Sequence, residues 1–382
     1  MGIVDDMNKI CCVFNYPPLY RLPIFSAMSD VLKCDFYFGD NVFEPIKKFD
    51  VTTLKGYKGT LKAVKIYKDY IWHNNVKVLF SKEYTDYIVT GSTNYLITWI
   101  LLFYCKLTGK KIYLWSHGTT NEKYSVLSLF KDRLFYTKAN GIFLYGSYCI
   151  PNMLKLGCKK ENLFVLHNSL DTNFQTKLYN RLSSSNIYNN YFKNNFPTFI
   201  YIGRLQKRKK IDQIIYAIDI LKSKGVLTNL VIVGKSTDAD DLEKLVETLN
   251  LNKNVWFYGP CYDEEKNAEL IYNSCACVSP GNVGLTAIHS LSYGTPVVTN
   301  NNFKTQMPEF ESIKVGKTGS FFKENNIDDL AEQMKFWSTV SEQKRQEIRD
   351  KCRNMILNEW SVDYQIEVFS KTLLNRDENY DD

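Results

Sequence analysis

The feature that most constrains this chain is a repeated alternation. Short runs of β-branched and aromatic residues, each closed by glycine, proline, asparagine or histidine, are separated by longer amphipathic stretches. KICCVFN, CDFYFG, DYIVTG, KIYLWSH, GIFLYG and LFVLHN form one set, and PTFIYIG, TNLVIVG, NVWFYG, SCACVSP and TPVVTN form a second. Strands that are apolar on both faces and joined by helix-length segments pair in parallel, because the crossover helices cover the sheet. The sequence therefore predicts an α/β protein with two Rossmann-like halves. A chain of 382 residues with 45% hydrophobic content can fill two such cores. The polar, Asn/Ser-rich stretch 178–197, which ends in proline, reads as the linker. It sets a first domain at 1–194 and a second at 195–359.

Several function classes are excluded at this level. The start MGIVDDMNK carries two acids and leads into a run soon broken by Pro17 and Pro18, so no secretory signal is expected. The longest apolar run, Tyr95 to Cys105, falls short of the roughly 20 residues needed to span a bilayer, and reads as a buried helix ending at the basic KLTGKK. Ten scattered cysteines without a C-x-x-C pair read as reduced core residues in a reducing compartment, and His73, His117, His167 and His289 lack metal-ligand spacing. No metal site and no cofactor are expected. Asp238-Ala239-Asp240 precedes the helical stretch DLEKLVETL and reads as helix N-capping. Neither first strand is followed by G-x-G-x-x-G, which argues against a nicotinamide-dependent oxidoreductase.

Charge divides the chain. Residues 1–196 hold 25 Lys and Arg against 14 Asp and Glu, and the remainder hold 23 against 27. Lys47, Lys48, Lys55, Lys58, Lys62, Lys65 and Lys68 are interleaved with Tyr57, Tyr67, Tyr70 and Trp72. This pattern suits an anionic membrane surface and equally a solvated loop and helix face. No nucleic-acid motif accompanies it.

The second half carries the chemistry. After its first strand comes YIGRLQKRKKIDQIIYAIDIL, then LVIVGKSTDADDLEKLVETLNL, NVWFYGPCYDEEKNAELIYNSCACVSP and GNVGLTAIHSLSYGTPVVT. This order resembles the retaining glycosyltransferases of family 4, which have the GT-B fold, most closely over 197–335. The resemblance puts Gly203, Arg204 and Lys209 on the family's strand-end motif, with Lys210 where glycine is usual. A guanidinium and an ammonium there would stabilise the charge that grows on a departing nucleotide diphosphate in place of a metal. The plainer alternative is a basic loop at a strand end. Gly234 and Lys235 fall on a strand end near the nucleotide, and Tyr258 on a strand ending close to the base. Asn282, Val283, Gly284 and Leu285 form the donor-sugar loop, whose backbone N–H groups at a helix N-terminus suit phosphate or sugar oxygens.

The resemblance also shows a departure. The family usually places two glutamates eight positions apart in this loop and helix; here Gly281 and His289 stand at those positions. Gly281 is read either as a turn glycine needing positive φ or as a change that opens volume beside the donor sugar. His289 is read either as a ribose contact or as a helix histidine satisfied by a neighbour.

In the first half, His117 ends the strand KIYLWSH, at the edge where open α/β sheets bind ligands. Catalytic support and strand-end packing both fit it. Asn168-Ser169-Leu170-Asp171 matches the turn that ends the family's first domain, and Tyr16-Pro17-Pro18 replaces glycines in the first loop, with Arg21 nearby to compensate. The segment 360–376 resembles the family's final helix, which crosses back to the first domain. The resemblance implies transfer of a hexose-type sugar from a UDP- or GDP-sugar to a lipid-linked glycan at the cytoplasmic membrane face, in capsule, O-antigen or exopolysaccharide synthesis. The alternative is a non-catalytic sugar-nucleotide-binding partner of another transferase.

Overall fold

The structure is a computed structural model that describes residues 9–40, 46–119, 125–235 and 241–374. The chain forms two compact units, Met1–Asp171 with Val362–Asp382, and Thr172–Ser361.

The first unit is built on a seven-stranded parallel sheet. Its strands are β1 (Ile10–Phe14), β2 (Asp35–Gly39), β3 (Tyr57–Leu61), β6 (Asp86–Thr90), β7 (Lys111–Ser116), β8 (Gly141–Leu144) and β9 (Leu163–Val165), with β4 (Ala63–Tyr67) and β5 (Tyr70–His73) as an antiparallel hairpin beside it. The order β3-β2-β1-β6-β7-β8-β9 reverses direction between β1 and β6. Successive side chains of a strand point to opposite faces, and the core divides accordingly. Cys11 and Val13 join one cluster with Leu101, Leu114 and Phe135, while Ile10, Cys12 and Phe14 join another with Phe25, Phe36 and Trp115. The C-terminal helix Val362–Leu373 completes the second cluster. Its Phe369 ring lies 4.6 Å from Phe143 and 5.4 Å from Trp115. Gln365, fully buried, accepts from Ser169 Oγ at 2.6 Å and donates to the His167 carbonyl at 3.0 Å.

The second unit holds β10 (Thr198–Ile202), β11 (Asn229–Val233), β12 (Val255–Gly259), β13 (Ala276–Ser279), β14 (Val297–Asn300) and β15 (Gly319–Phe322). They run parallel in the order β12-β11-β10-β13-β14-β15, with the reversal between β10 and β13. In chain order the helices of the molecule are α1 (Leu22–Val31), α2 (Leu96–Thr108), α3 (Val126–Tyr136), α4 (Ile150–Lys155), α5 (Thr172–Tyr179), α6 (Ile187–Phe192), α7 (Asp212–Ser223), α8 (Leu242–Thr248), α9 (Glu264–Tyr272), α10 (Leu285–Ser292), α11 (Ile327–Ser338) and α12 (Glu342–Glu359) before the C-terminal one.

Three sequence readings change here. The segment read as a linker folds into α5 and α6 within the second unit, where Tyr188 is buried and donates to the Leu270 carbonyl at 2.6 Å. The basic stretch 57–73 is strand rather than loop and helix: β3 forms the sheet edge, and β4 and β5 pair through a turn with Lys68 at positive φ. Two of its lysines, and Lys55 just before it, meet acids: Lys58 with Asp35, Lys65 with Asp69 and Lys55 with Asp30. The apolar run after Tyr95 is α2, which ends at Gly109 in the left-handed conformation; it buries Leu101, Leu102 and Cys105 but leaves Phe103 and Leu107 exposed.

The ten cysteines are all free and all but Cys261 are buried. Asp238 and Asp240 lie outside the described residues; the cap of α8 is Asp241, which accepts from the Lys244 N–H. Among the described residues no helix is long and apolar enough to cross a membrane.

Candidate functional site

In an open α/β sheet, ligands meet the carboxyl ends of the strands where the strand order reverses. For the second unit that point lies between β10 and β13. The loops leaving neighbouring strands are stitched together there by their backbones. Gly203 N–H donates to the Val233 carbonyl at 2.9 Å, Leu205 N–H to Lys235 at 3.0 Å, and Gly234 N–H to Gly259 at 2.9 Å. Two glycines are dictated by this geometry. Gly203 has φ +149°, which disfavours any side chain. A Cβ on Gly234 would stand 1.8 Å from the Gly203 carbonyl oxygen.

Lys209 reaches across the reversal point, donating from Nζ to the Asn282 carbonyl at 2.6 Å. Burial, then the Arg208 guanidinium, push its pKa down to about 8; buried Glu309 opposes this shift, and Arg204 adds to it. Arg204 itself is exposed, and among the described residues its carbonyl is engaged by the Tyr201 hydroxyl and the Gln206 N–H. Lys210 adopts φ +52°, the left-handed conformation that glycine supplies most cheaply. Its ammonium is held by Glu324 at 2.9 Å and Asn325 at 2.8 Å.

The loop after β13 closes on this arm. Gly281 N–H donates to the Lys209 carbonyl at 3.0 Å. Its φ is not positive, and a Cβ there would stand 2.2 Å from the Arg208 carbonyl oxygen. Both readings of Gly281 are therefore corrected: the residue is glycine because another backbone occupies the space, and no volume is opened. Val283 is corrected too, since its N–H is already committed to Gln306 Oε1 at 2.6 Å. The N-terminus of α10 has no side-chain cap, so Gly284 and Leu285 N–H remain the donors that the helix end offers. The buried Asn282 side-chain oxygen makes no hydrogen bond among the described residues.

Two further residues stand apart from this cluster. Tyr258 is on the edge strand β12, its ring 5.0 Å from Trp256, which in turn stacks on Tyr191 at 3.9 Å. His289 lies one turn into α10, where Nε2 meets Glu264 Oε1 at 3.0 Å. Sequence reasoning missed Glu264 and Glu309, because each is brought to its partner by a different element and no local spacing marks it.

His117 belongs to the first unit. Its ring reaches solvent and sits 4.3 Å from Tyr145; the surrounding protein and the Arg21 guanidinium push its pKa down to about 4, so it is neutral at pH 7. Arg21 donates to the Tyr145 hydroxyl and lies over the Trp115 ring at 4.9 Å. Two-stranded pairing of Pro18 with Lys48 fixes the loop before it.

Residues 185–355 match the family of glycosyl transferases group 1. Two curated relatives are similar: an uncharacterized 41.2 kDa protein in the cps region of Klebsiella pneumoniae, 24% identical over 59% of this chain, and the poly(ribitol-phosphate) alpha-N-acetylglucosaminyltransferase of Staphylococcus aureus, 23% identical over 44%. The chain spans 61% of the first and 33% of the second. Among solved structures, a glycosyltransferase from Rickettsia africae superposes with TM-score 0.71 at 16% identity, over 96% of this chain and all of that one. The Anabaena protein HepE, crystallised with UDP, gives 0.70 at 14% identity over the same shares. The strand-end cluster thus falls inside the stretch that matches the group 1 glycosyltransferases, on a two-unit α/β fold of the GT-B glycosyltransferase type.

Proposed function

We propose that this chain is a retaining, metal-independent glycosyltransferase of family 4 that moves a hexose-type sugar from a UDP- or GDP-sugar to a lipid-linked glycan in surface polysaccharide synthesis. The observation that carries the reading is the strand-end cluster, where Arg204, Lys209 and the uncapped α10 N-terminus converge on one loop. Two cations and a helix N-terminus fit a diphosphate, with buried Glu309 offsetting part of the charge at Lys209. As the glycosidic bond breaks, the bonding pair goes to the diphosphate, and fixed donors stabilise that charge without reorganising. The acceptor hydroxyl attacks on the face the diphosphate leaves, and a phosphate oxygen takes its proton, so the anomeric configuration is kept. In this reading Asn282 Oδ1, without a partner among the described residues, accepts from a sugar hydroxyl, and His117, neutral at pH 7, serves as a hydrogen-bonding group rather than a cation.

The relatives support the setting, one lying in a capsule region and the other acting on a cell-wall polymer. The basic first half fits a peripheral position at the inner face of the cytoplasmic membrane. A panel of sugar nucleotides tests the reading: thermal stabilisation by UDP or GDP but not CMP or NADH, followed by product formation with EDTA present and an unchanged anomeric coupling by NMR. Stabilisation without any turnover across donors and acceptors would favour the non-catalytic binding partner.

A further inference from the structure

The loop that leads into α10 lies outside any strand or helix, yet each of its carbonyls is held. The Ser279 carbonyl accepts from Thr299 Oγ1 at 2.8 Å, and those of Pro280 and Gly281 accept from Asn300 Nδ2 at 2.8 and 2.9 Å. The Asn282 carbonyl accepts from Lys209 Nζ at 2.6 Å, and that of Val283 from the Met307 N–H at 3.2 Å. Apart from Lys209, these donors belong to the end of β14 and the segment that follows it. A carbonyl oxygen facing a diphosphate would repel it. With all five committed to donors, the loop and helix end present N–H groups and an ammonium instead.

Within that segment Gln306 is distinctive because both ends of its carboxamide are used. Oε1 accepts from the Val283 N–H at 2.6 Å, while Nε2 donates to the Asn300 carbonyl at 2.9 Å and to Thr299 Oγ1 at 3.1 Å. The partners fix which end is which, since an N–H only donates and a carbonyl only accepts. The Thr299 hydroxyl directs its one proton to Ser279, which leaves its lone pairs for Gln306. Val283 is fully buried, so its N–H has no water to replace Gln306. An ionised glutamate at this position would set an acceptor against the Asn300 carbonyl. Methionine, of similar length, would make neither bond.

We infer that Gln306 is a positioning residue, whose carboxamide fixes the loop so that the Gly284 and Leu285 N–H groups and the Lys209 ammonium meet a nucleoside diphosphate together. This rests on the nucleotide-sugar reading above. Binding titrations of the full chain with UDP beside uridine, and GDP beside guanosine, test it, because the ratio of the two affinities isolates the diphosphate. In the wild type one diphosphate should bind more tightly than its nucleoside. Gln306→Met should lower that ratio on the order of tenfold, as loss of a hydrogen bond would, while an unchanged nucleoside affinity reports an intact fold. Gln306→Glu should lower it further at neutral pH. As acid returns the proton to that carboxyl and with it the missing donor, the ratio should recover toward the wild-type value at the same pH. Gln306→Met should show no such recovery. An unchanged ratio in both variants, equal weakening of diphosphate and nucleoside, or a Gln306→Glu ratio that acid does not restore overturns the positioning role and leaves the nucleotide site standing. A wild type that binds neither diphosphate, or binds it no better than its nucleoside, overturns both readings together.

Discussion

Lys209 is held where an ammonium is costly. Burial and two guanidiniums lower its pKa to about 8, so the charge needed at a departing diphosphate is present below that pH and lost above it. The pH dependence has a definite sign. kcat/KM, which reports the free enzyme, should fall as pH rises through about 8, while the limb in kcat should lie higher because bound diphosphate favours the ammonium. Lys209→Arg should remove the limb. Arg204→Ala or Lys209→Ala should each lower kcat on the order of 10²-fold, with a smaller loss of nucleotide affinity, since both cations act on charge that grows in the transition state. Steady-state kinetics beside calorimetry separates the two; unchanged turnover in both variants removes the site. Gly281 gives a prediction of the opposite kind. Gly281→Ala places a carbon 2.2 Å from a carbonyl oxygen, so it should displace the Lys209 arm and lower both Tm and activity, and Gly281→Glu should do so more severely rather than restore a family-like donor contact.

At the scale of elements, the strands buried on both faces were legible because their composition leaves little choice. β1, β2, β6, β7 and β8 and the second unit's β10, β11, β13 and β14 coincide with the apolar runs. The edge was not legible. β3 and β4 each carry a lysine among aromatic and β-branched residues, and a strand half open to water keeps its charges. β15 is four residues long and lies outside the apolar runs read from the sequence. The arm of Arg204 and Lys209 was visible because its residues are close in sequence. The Glu264–His289 pair joins positions 25 apart on two helices, so only the packing of α9 on α10 reveals it. The misread linker yields its own test. Tyr188 on α6 donates to Leu270 and lies 2.9 Å from Ser274 Oγ, so Tyr188→Phe should cost about 1–3 kcal/mol in urea unfolding. An exposed linker tyrosine would cost nothing measurable.

For the molecule as a whole, net positive charge is concentrated in residues 1–196, yet part of it is neutralised locally. Lys55, Lys58 and Lys65 face acids, whereas Lys47 and Lys62 form no ion pair among the described residues. Cosedimentation with anionic vesicles should weaken as salt rises through ~0.15 M, because the screening length falls to about 8 Å. Reversal at Lys47 and Lys62 should reduce it more than reversal at Lys55 and Lys58; equal binding to neutral vesicles would indicate apolar docking. The return of the C-terminal helix to the first unit has a consequence for biosynthesis. The second unit is one unbroken stretch, Thr172–Ser361, whereas the first is assembled from segments on either side of it. A ribosome delivers the first unit's sheet first, but the Phe369 side chain that packs on Trp115 and Phe143 is made only after the whole of the second unit. The usual order of domain completion, N-terminal before C-terminal, is therefore inverted for these two units: the sheet that is made first closes its core after the other, and until Val362–Leu373 emerges it exposes the apolar seat of that helix.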